Sequence, residues 1–431
     1  MTTNFLHGVE VVELTSGVRP IQTVRSAVIG IIGTAPAADA ATFPVNEPVL
    51  ISGSRAKAAK LGTTGSLPSA IDGIFQQIGA TVVVVRVTEG ADEAATLTNV
   101  VGNQAQQTGV WAFTKSESVL GLSPKILCAP GYTHQATLTA GSEVANVVLA
   151  QLVSLASSGT GVTDRLRAVV IADGPNTTQA DAQAFADLHA SSRVYVVDPW
   201  IKSTYDGTLA TRPASAHVAG VIAKSDAERG FWFSPSNRVI QGIVGTSRAV
   251  GFFLGDENSE ANILNENDVA TVIRENGFRL WGNHTTTTDQ QLQFLSTRRI
   301  LDMVNESVMR AHLWAVDRCI TRTFLQDVSE SVASYLRSLE ARGAILGSDV
   351  YIDPDANTAT DVANGQITID FEFTPVYPAE RVRFRSILTN NYIESILTDT
   401  NADDTSETDD GAENAPDNEE TTDGESEAGS N

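Results

Sequence analysis

The feature that most constrains this chain is an alternation of strand-like and helix-like stretches between residues 26 and 233. Short apolar runs rich in Val and Ile recur, with room for one helix between many of them. The strand candidates are 27–32, 49–51, 81–87, 125–129, 166–172, 193–197 and 230–233. The helix candidates are 54–61, 68–77, 142–157, 178–190 and 213–227. This alternation predicts an α/β layer with a largely parallel sheet.

Two stretches depart from the alternation. Residues 88–121 contain polar runs with Thr and Val, which predict a small β excursion. Residues 234–258 are predicted to return the chain from this layer. We therefore predict an inserted α/β domain at 26–258, preceded by an arm and linker at 1–25.

A different pattern fills the predicted C-terminal domain, residues 259–398. Apolar residues at helical spacing predict two helices, the second of which ends at Gly343. The first set is Leu301, Val304, Val308, Ala311 and Ala315, and the second is Phe324, Val328, Val332, Leu336 and Leu339. After Gly347 the apolar period changes to two, which predicts strands at 367–373 and 381–387. The sequence thus predicts an α+β domain in which two helices lie on a small mixed sheet.

The two end strands of this chain have no adjacent hairpin partner. Near the N-terminus a short strand is predicted around Val9 and Val11, and the last predicted strand is 381–387. Such strands must pair with a distant part of the chain or with another molecule. The residues that we predict to take part in this pairing are Gly8, Val9, Val11, Glu13, Arg381, Val382, Arg383, Phe384 and Ile387.

Charge is concentrated at one end of the chain. The 431 residues carry a formal net charge of −23, and residues 399–431 hold 13 Asp or Glu and no Lys or Arg. Such a segment cannot bury enough apolar surface to become ordered, so we predict a disordered acidic tail. No basic stripe with interleaved aromatic residues indicates nucleic-acid binding, and no apolar run is long enough to span a bilayer. Cys128 and Cys319 are predicted to be buried free thiols.

The sequence offers few groups that could carry chemistry. Asp173 and Asp198 follow predicted strands, where α/β enzymes place carboxylates, but Asp-Gly and Asp-Pro are also ordinary turn dipeptides. The stretch Gly30–Ala35 lacks the spacing of a dinucleotide-binding loop and the Lys of a phosphate loop. The six histidines show no metal-ligand spacing. We predict no catalytic residue, cofactor or metal.

Several motifs of the C-terminal half together resemble a known family. They are Leu280-Trp281-Gly282-Asn283-His284-Thr285, Thr297-Arg298-Arg299-Ile300, Leu336-x2-Leu339-x3-Gly343-Ala344-Ile345-Leu346-Gly347, Asn357-Thr358, Gly365 and Thr374-Pro375-x2-Pro378-Ala379-Glu380. Their order and spacing resemble the C-terminal domain of contractile tail sheath proteins, which occur in phage tails, contractile bacteriocins and related injection systems. The family usually has a small residue and an Arg where this chain has Asn283-His284, and a Pro at His7.

The resemblance implies a structural function and no enzymatic activity. Subunits of the family stack as hexameric rings around an inner tube, and the neighbours' strands complete each small C-terminal sheet. The inserted α/β domain lies on the outside, and contraction drives the tube through a target envelope. The implied partners are copies of the chain, the inner tube, baseplate and tail terminator proteins. The implied location is a virion tail or contractile particle assembled in the producing cell's cytoplasm, with no membrane insertion of the sheath.

The arginines of the two predicted helices have two interpretations. Residues 289–343 carry seven Arg and seven acids, which is typical of a solvated helical face. The resemblance instead places some of these arginines against the inner tube, and Arg337 and Arg342 are the candidates for this contact.

Two other functions remain open from the sequence. One is an α/β-class hydrolase or nucleotide-binding enzyme that uses Asp173 or Asp198 in a crevice of the inserted domain. The other is a non-contractile structural or adhesive assembly protein.

Overall fold

The computed structural model describes residues 20–153 and 161–393. Its strands are β1 (Val28–Thr34), β2 (Pro48–Ser52), β3 (Thr81–Val87), β4 (Ile126–Cys128), β5 (Val169–Asp173), β6 (Val194–Val197), β7 (Ile201–Tyr205), β8 (Thr208–Arg212), β9 (Arg238–Val239), β10 (Ile243–Thr246), β11 (Val269–Arg274), β12 (Phe278–Trp281), β13 (Ile345–Tyr351) and β14 (Asp370–Pro375). Its helices are α1 (Arg55–Ala58), α2 (Leu67–Gln77), α3 (Glu93–Val101), α4 (Ser116–Leu120), α5 (Val147–Val153), α6 (Val162–Leu166), α7 (Gln179–Leu188), α8 (Ser215–Glu228), α9 (Glu260–Glu266), α10 (Leu295–Ala311), α11 (Arg322–Ala341) and α12 (Ala359–Ala363). The chain divides into two compact units, Met1–Pro378 and Ala379–Asn431.

The first unit is built on a nine-stranded sheet in the order β2-β3-β1-β4-β5-β6-β11-β12-β9. All neighbours from β3 to β11 run parallel, and β2, β12 and β9 are antiparallel to their neighbours. The central strands β1, β4, β5 and β6 are buried along their whole length. Continuous apolar strands of this kind require cover on both faces, so the predicted largely parallel α/β sheet is confirmed.

Helices cover the two faces and form two separate cores. On one face α2 and α8 pack against the sheet through residues such as Ile71 and Ile222. On the other face α3, α5 and α7 contribute Val100, Leu152 and Phe185. The two faces together hold most of the fully buried apolar side chains, and the sheet therefore provides the rigid part of the fold.

A third core joins α10 and α11 to the β13–β14 hairpin. Ile300 and Val304 of α10 meet Leu336 and Leu339 of α11 in this core, and Ile345 enters it from β13. Both predicted helices are present, although α10 ends at Ala311 and the predicted Ala315 lies in a separate 3₁₀ turn. The α11 helix ends before Gly343, which has a φ of +73°, in the left-handed region that favours glycine.

The predicted β excursion at 88–121 is wrong, because this segment is helical. It contains α3, a 3₁₀ turn at Gly109–Lys115, and α4. Asp92 caps α3 by accepting a hydrogen bond from the Ala95 amide at 2.7 Å. Thr96 and Val100 lie one helical turn apart and are both buried. Thr96 and Val100 therefore share the buried face of a helix rather than one face of a strand.

Two further predictions need correction near the end of the sheet. Residues 230–233 form no strand, because Gly230, with a φ of +113°, turns the chain after α8 and Trp232 packs against it. Strands β11 and β12, which fall within the predicted C-terminal domain, belong to the large sheet. The reason is that Val269–Arg274 is buried almost throughout and pairs with both β6 and β12.

Residues 381–387, predicted as a strand without a hairpin partner, form no helix or strand in this single chain, and their pairing with another subunit stays a prediction. The prediction for the two cysteines is only half right. Cys128 is buried as predicted, but Cys319 is exposed in the link between α10 and α11.

Candidate assembly surfaces

The β13–β14 hairpin is a short antiparallel sheet with open edges. Six residue pairs link the strands, including Ser348 with Phe373 and Val350 with Phe371. Within residues 20–153 and 161–393, neither strand pairs with any other strand. A two-stranded sheet is marginal by itself, and its outer edges present unpaired N–H and C=O groups to an incoming strand.

The two faces of this hairpin differ in chemistry. On the inner face Phe371 and Phe373 stack with a ring separation of 6.5 Å and pack with Val350 against the third core. On the outer face Asp349 lies directly opposite Glu372, and both are exposed. Like charges opposite each other destabilise a sheet. The outer face therefore favours a neighbour that brings positive charge.

The C-terminal end segment, residues 381–387, alternates basic and apolar residues. This pattern complements the acidic outer face and the apolar inner face of the hairpin. Its apolar residues are exposed, with 66% of Val382 and 91% of Phe384 accessible to solvent. Arg381, Arg383 and Arg385 alternate with them along the chain. The N-terminal candidates Gly8, Val9, Val11 and Glu13 lie outside the described residues.

Helix α10 carries a row of charged residues at a spacing of four, which is one helical turn. The row consists of Arg298, Asp302, Glu306 and Arg310. Asp302 accepts hydrogen bonds from Arg298 Nε at 3.2 Å and from Arg193 Nη1 at 2.7 Å. Glu306 accepts from Lys125 Nζ at 2.5 Å and from Arg310 Nε at 2.8 Å. Since Lys125 and Arg193 lie just before β4 and β6, the row joins α10 to the amino ends of these two central strands of the large sheet.

A second buried ion pair holds the same helix to α8. Arg299 Nη1 donates to Asp226 Oδ1 at 2.8 Å, and Arg299 Nη2 also bonds Asp226 Oδ2. The side chains are only 3% and 1% exposed. The interpretation of these arginines as a solvated or tube-facing surface is therefore wrong for Arg298 and Arg299. Buried pairs of this kind fix the orientation of the elements that they join.

Burial and ion pairing shift the pKa values of the groups that contact this row in opposite directions. Burial lowers the pKa of Lys125, and the neighbouring Glu306 carboxylate partly offsets this effect. At the exposed end of the row, hydrogen bonding to Arg310 lowers the pKa of Glu117, and Arg310 has a raised pKa. Glu117 therefore stays charged to a lower pH, and Arg310 to a higher pH, than the same groups would in isolation.

The two carboxylates proposed for an enzyme site are occupied by structural contacts. Asp173 accepts from the Ser215 amide at 2.8 Å and from Ser215 Oγ at 2.7 Å, and burial raises its pKa to about 6. Asp198 pairs with Arg248 at 2.5 Å and accepts from the Asn176 amide at 2.8 Å. Burial raises the pKa of Asp198 as well. Both groups hold loops at the carboxyl edge of the sheet, which agrees with their interpretation as turn residues.

Neither a metal site nor a membrane span is evident in the part of the chain that the structure describes. No group of three or more His, Cys, Asp or Glu residues there could hold a metal ion. None of the helices there is both long and apolar enough to cross a bilayer.

Family comparisons cover most of this chain. Residues 26–87 match the tail sheath protein Gp18 domain III N-terminal region, and residues 108–286 match the phage tail sheath protein central domain. Residues 287–389 match the phage tail sheath C-terminal domain. The chain belongs to the phage tail sheath family. The boundary at 286 falls shortly after β12, where the large sheet ends.

Individual sheath proteins match this one along nearly their full length. It is 37% identical to a putative prophage major tail sheath protein of Pseudomonas aeruginosa (strain UCBPP-PA14), over 91% of this chain and 99% of that protein. It is 33% identical to the tail sheath protein of Escherichia phage P2, over 93% of this chain and 99% of that protein. The predicted family and structural role are thus confirmed, and the enzyme alternative is not supported.

Solved structures share the fold of this sheath protein. The sheath complex of the extracellular contractile injection system PVC in its contracted state superposes with a TM-score of 0.65 at 19% identity, over 91% of this chain and 99% of that one. The contracted helical sheath of the anti-feeding prophage gives a TM-score of 0.63 at 20% identity, over 90% and 100% of the two chains.

The structure shows the surroundings of the motif residue His284 and of the two proposed tube contacts, Arg337 and Arg342. His284, where the family usually has Arg, has Nδ1 3.1 Å from Asp268 Oδ1. Arg337 is 58% exposed and pairs with Glu330 on α11. Arg342 is exposed, with its guanidinium carbon 5.0 Å from the centre of the Trp232 ring. A contact of either arginine with an inner tube stays a prediction.

Proposed function

We propose that this sheath protein assembles as stacked hexameric rings around an inner tube and contracts to drive that tube through a target envelope. Adjacent subunits are linked by strand exchange, in which the end segments of one chain extend the β13–β14 hairpin of another. The observation that carries this proposal is the open-edged hairpin together with the exposed alternating segment at 381–387.

The alternation of apolar and basic residues in 381–387 matches the apolar and acidic faces of the β13–β14 hairpin. When 381–387 is added as an edge strand, Val382 and Phe384 extend the apolar face that Phe371 and Phe373 begin. The arginines then lie on the other face, beside Asp349 or Glu372. A strand added in this way contributes about five main-chain hydrogen bonds at roughly 1 kcal/mol each. Charge and apolar contacts then select the register.

The N-terminal arm supplies a second link in this proposal. Val9 and Val11 of residues 1–25 would pair with a neighbour's hairpin, and the turn around Gly17 would act as a joint. Links made by extended chain let subunit bodies rotate while they stay attached. The ion pairs of α10 serve the opposite purpose, because they keep each body rigid as the lattice rearranges.

The proposal includes further partners, which the resemblance to other sheath proteins suggests. The α/β layer lies on the outside of the sheath, and the exposed Arg337 and Arg342 contact the inner tube. Baseplate and tail terminator proteins hold the two ends of the sheath, which is assembled in the cytoplasm of the producing cell. The acidic residues 399–431 act as a solubility brush or a docking segment.

A charge reversal tests the proposed strand register. Arg383→Glu places an acidic side chain beside Asp349 or Glu372, and cross-strand charge pairs contribute up to about 1 kcal/mol. We therefore expect the concentration needed for sheath assembly to rise about fivefold. Adding Asp349→Arg or Glu372→Arg to the same chain, whichever residue lies beside the added strand, is expected to restore assembly, as measured by sedimentation and negative-stain electron microscopy.

The control for this experiment is Arg322→Glu, since Arg322 is exposed at the start of α11 and lies outside both segments. It is expected to assemble normally. Normal assembly of Arg383→Glu, or failure of both Asp349→Arg and Glu372→Arg to restore it, contradicts this register.

A further inference from the structure

The amino edge of the large sheet carries a row of basic residues. One of them comes shortly before each of the central strands β1, β4, β5 and β6, which are parallel neighbours in the sheet. They are Arg25, Lys125, Arg167 and Arg193. The amino ends of parallel strands meet at one edge, and neighbouring strands lie about 4.8 Å apart. These four residues therefore form a continuous row, which we call the basic edge.

Two members of the basic edge are already paired with carboxylates. Lys125 donates to Glu306 on α10. Arg193 donates to Asp302 on the same helix and to Asp164. Since these pairs hold α10 on the sheet, they leave little positive charge for another molecule.

The other two members have no carboxylate partner. The side chains of Arg25 and Arg167 make no hydrogen bond or ion pair within the described chain, and both are accessible to solvent. Arg167 directly follows Leu166, whose carbonyl accepts from Lys125 Nζ at 2.5 Å. The unmatched Arg167 is therefore held beside the buried lysine of the row.

A cleft of about 460 Å³ at the amino ends of β1 and β4 brings three cations together. Arg25, Lys125 and Arg310 line it, and Glu306 is the only acidic residue among the described residues of its lining. The two oxygens of Glu306 accept from Lys125 and from Arg310. Outside the cleft, Arg310 also pairs with Glu117. Arg25 is thus the cation of this cleft whose charge is unmatched.

Unmatched cations at this edge suit an acidic partner, although the chain as a whole has a net charge of −23. At 0.15 M salt the Debye length is about 8 Å, so a bound segment responds to the nearest charges more than to the net charge. The chain itself contains a complementary segment, residues 399–431, with 13 Asp or Glu and no Lys or Arg. A flexible chain of this length spans about 30 Å on average, which is enough to reach a neighbouring copy.

We propose that the acidic segment 399–431 of one copy docks on the basic edge of another, with its carboxylates beside Arg25 and Arg167. This inference rests on one part of the proposed function, the docking role of the acidic residues, and replaces the solubility brush. It is independent of strand exchange, because a chain that ends after residue 398 lacks the acidic segment but keeps 381–387.

Fluorescence anisotropy of a labelled peptide with the sequence of residues 399–431 tests this contact. Its partner is the unassembled chain that ends after residue 398, which keeps all three cores. The peptide is expected to bind at 0.15 M salt and to bind at least tenfold more weakly at 1 M salt, where the Debye length is about 3 Å. A peptide in which Asn and Gln replace every Asp and Glu is the matched probe and is expected not to bind.

Charge reversals locate the contact. Arg25→Glu is expected to weaken peptide binding about fivefold, because an attraction becomes a repulsion. Adding Arg167→Glu is expected to weaken it at least tenfold in total. Arg274→Glu is the control, since Arg274 is exposed and ends β11 at the opposite, carboxyl edge of the sheet. It changes the net charge equally and is expected to weaken binding less than twofold.

Three results overturn the proposal. One is no binding of the acidic peptide at 0.15 M salt, and another is equal binding of the acidic and neutral peptides. The third is equal weakening by Arg25→Glu and Arg274→Glu, since only the net charge would then matter. Because Arg25 is exposed and lies outside the helices and strands, its variant remains a valid test even if the double variant does not fold. Sheath formation by the chain that ends after residue 398 tests strand exchange separately.

Discussion

Replacing Arg299 with Leu is expected to lower the free energy of unfolding by about 3–5 kcal/mol, because it leaves the buried Asp226 carboxylate without its partner. Asp226 is 1% exposed at its side chain, and both of its carboxylate oxygens are bonded to Arg299. Chemical unfolding of the unassembled chain measures this loss. A loss of this size is a large part of the stability of a typical domain, so reduced yield of soluble protein is also expected.

Two matched variants separate this effect from a general loss of a charged residue. Arg337→Leu removes an arginine from an exposed pair with Glu330 and is expected to cost less than about 1 kcal/mol. The double change Arg299→Leu with Asp226→Leu is expected to recover most of the lost stability, since no unpaired charge remains buried. If Arg299→Leu costs no more than Arg337→Leu, the pair does not hold α10 to α8.

Ending the chain after Pro378 is expected to abolish long sheaths while the body still folds. The compact unit Met1–Pro378 contains all three cores, so little of its stability depends on the residues beyond Pro378. Loss of one donated strand removes about five hydrogen bonds per link at roughly 1 kcal/mol each. This corresponds to more than about a thousandfold rise in the concentration needed for assembly. Deleting residues 1–18 is expected to have the same effect through the N-terminal arm, and electron microscopy of both products measures the outcome.

A chain that ends after residue 398 is the control for this truncation. It lacks the acidic stretch 399–431 but keeps 381–387 and is expected to form sheaths of normal length. Long sheaths from the chain that ends after Pro378 would show that the C-terminal segment is not a link.

The large sheet can be predicted because each of its central strands is recognisable from its own run of apolar residues. The predicted strand 81–87 coincides with Thr81–Val87, and most of the parallel strands lie within a few residues of their predicted positions. These strands are buried on both faces, so they are continuously apolar and stand out from the helices between them. The prediction for residues 88–121 is wrong because Thr and Val also occur on the buried face of α3. The β7–β8 hairpin escapes prediction because only two of its residues are buried.

The ion pairs of α10 cannot be predicted, because their partners are distant in the chain. Arg299 meets a residue 73 positions away, and Glu306 meets Lys125 across 181 positions. Spacing along α10 alone shows that Arg298, Asp302, Glu306 and Arg310 share a face, but not that this face is buried. Of the hairpin, only β14 is expected from the change of apolar period, as the predicted strand 367–373, whereas β13, which begins at Ile345, is not predicted. The acidic pairing of Asp349 with Glu372 depends on register, which the apolar period alone does not define.

The most direct test of strand exchange is an electron-microscopy map of the assembled sheath, traced continuously from Pro378 to residue 393. Strand exchange predicts that residues 381–387 form a strand hydrogen-bonded to the β13–β14 hairpin of a different subunit, with Phe384 on the same face as Phe371 and Phe373. A map in which 381–387 pairs with the hairpin of its own chain, or in which that hairpin receives no strand from a neighbour, would contradict it.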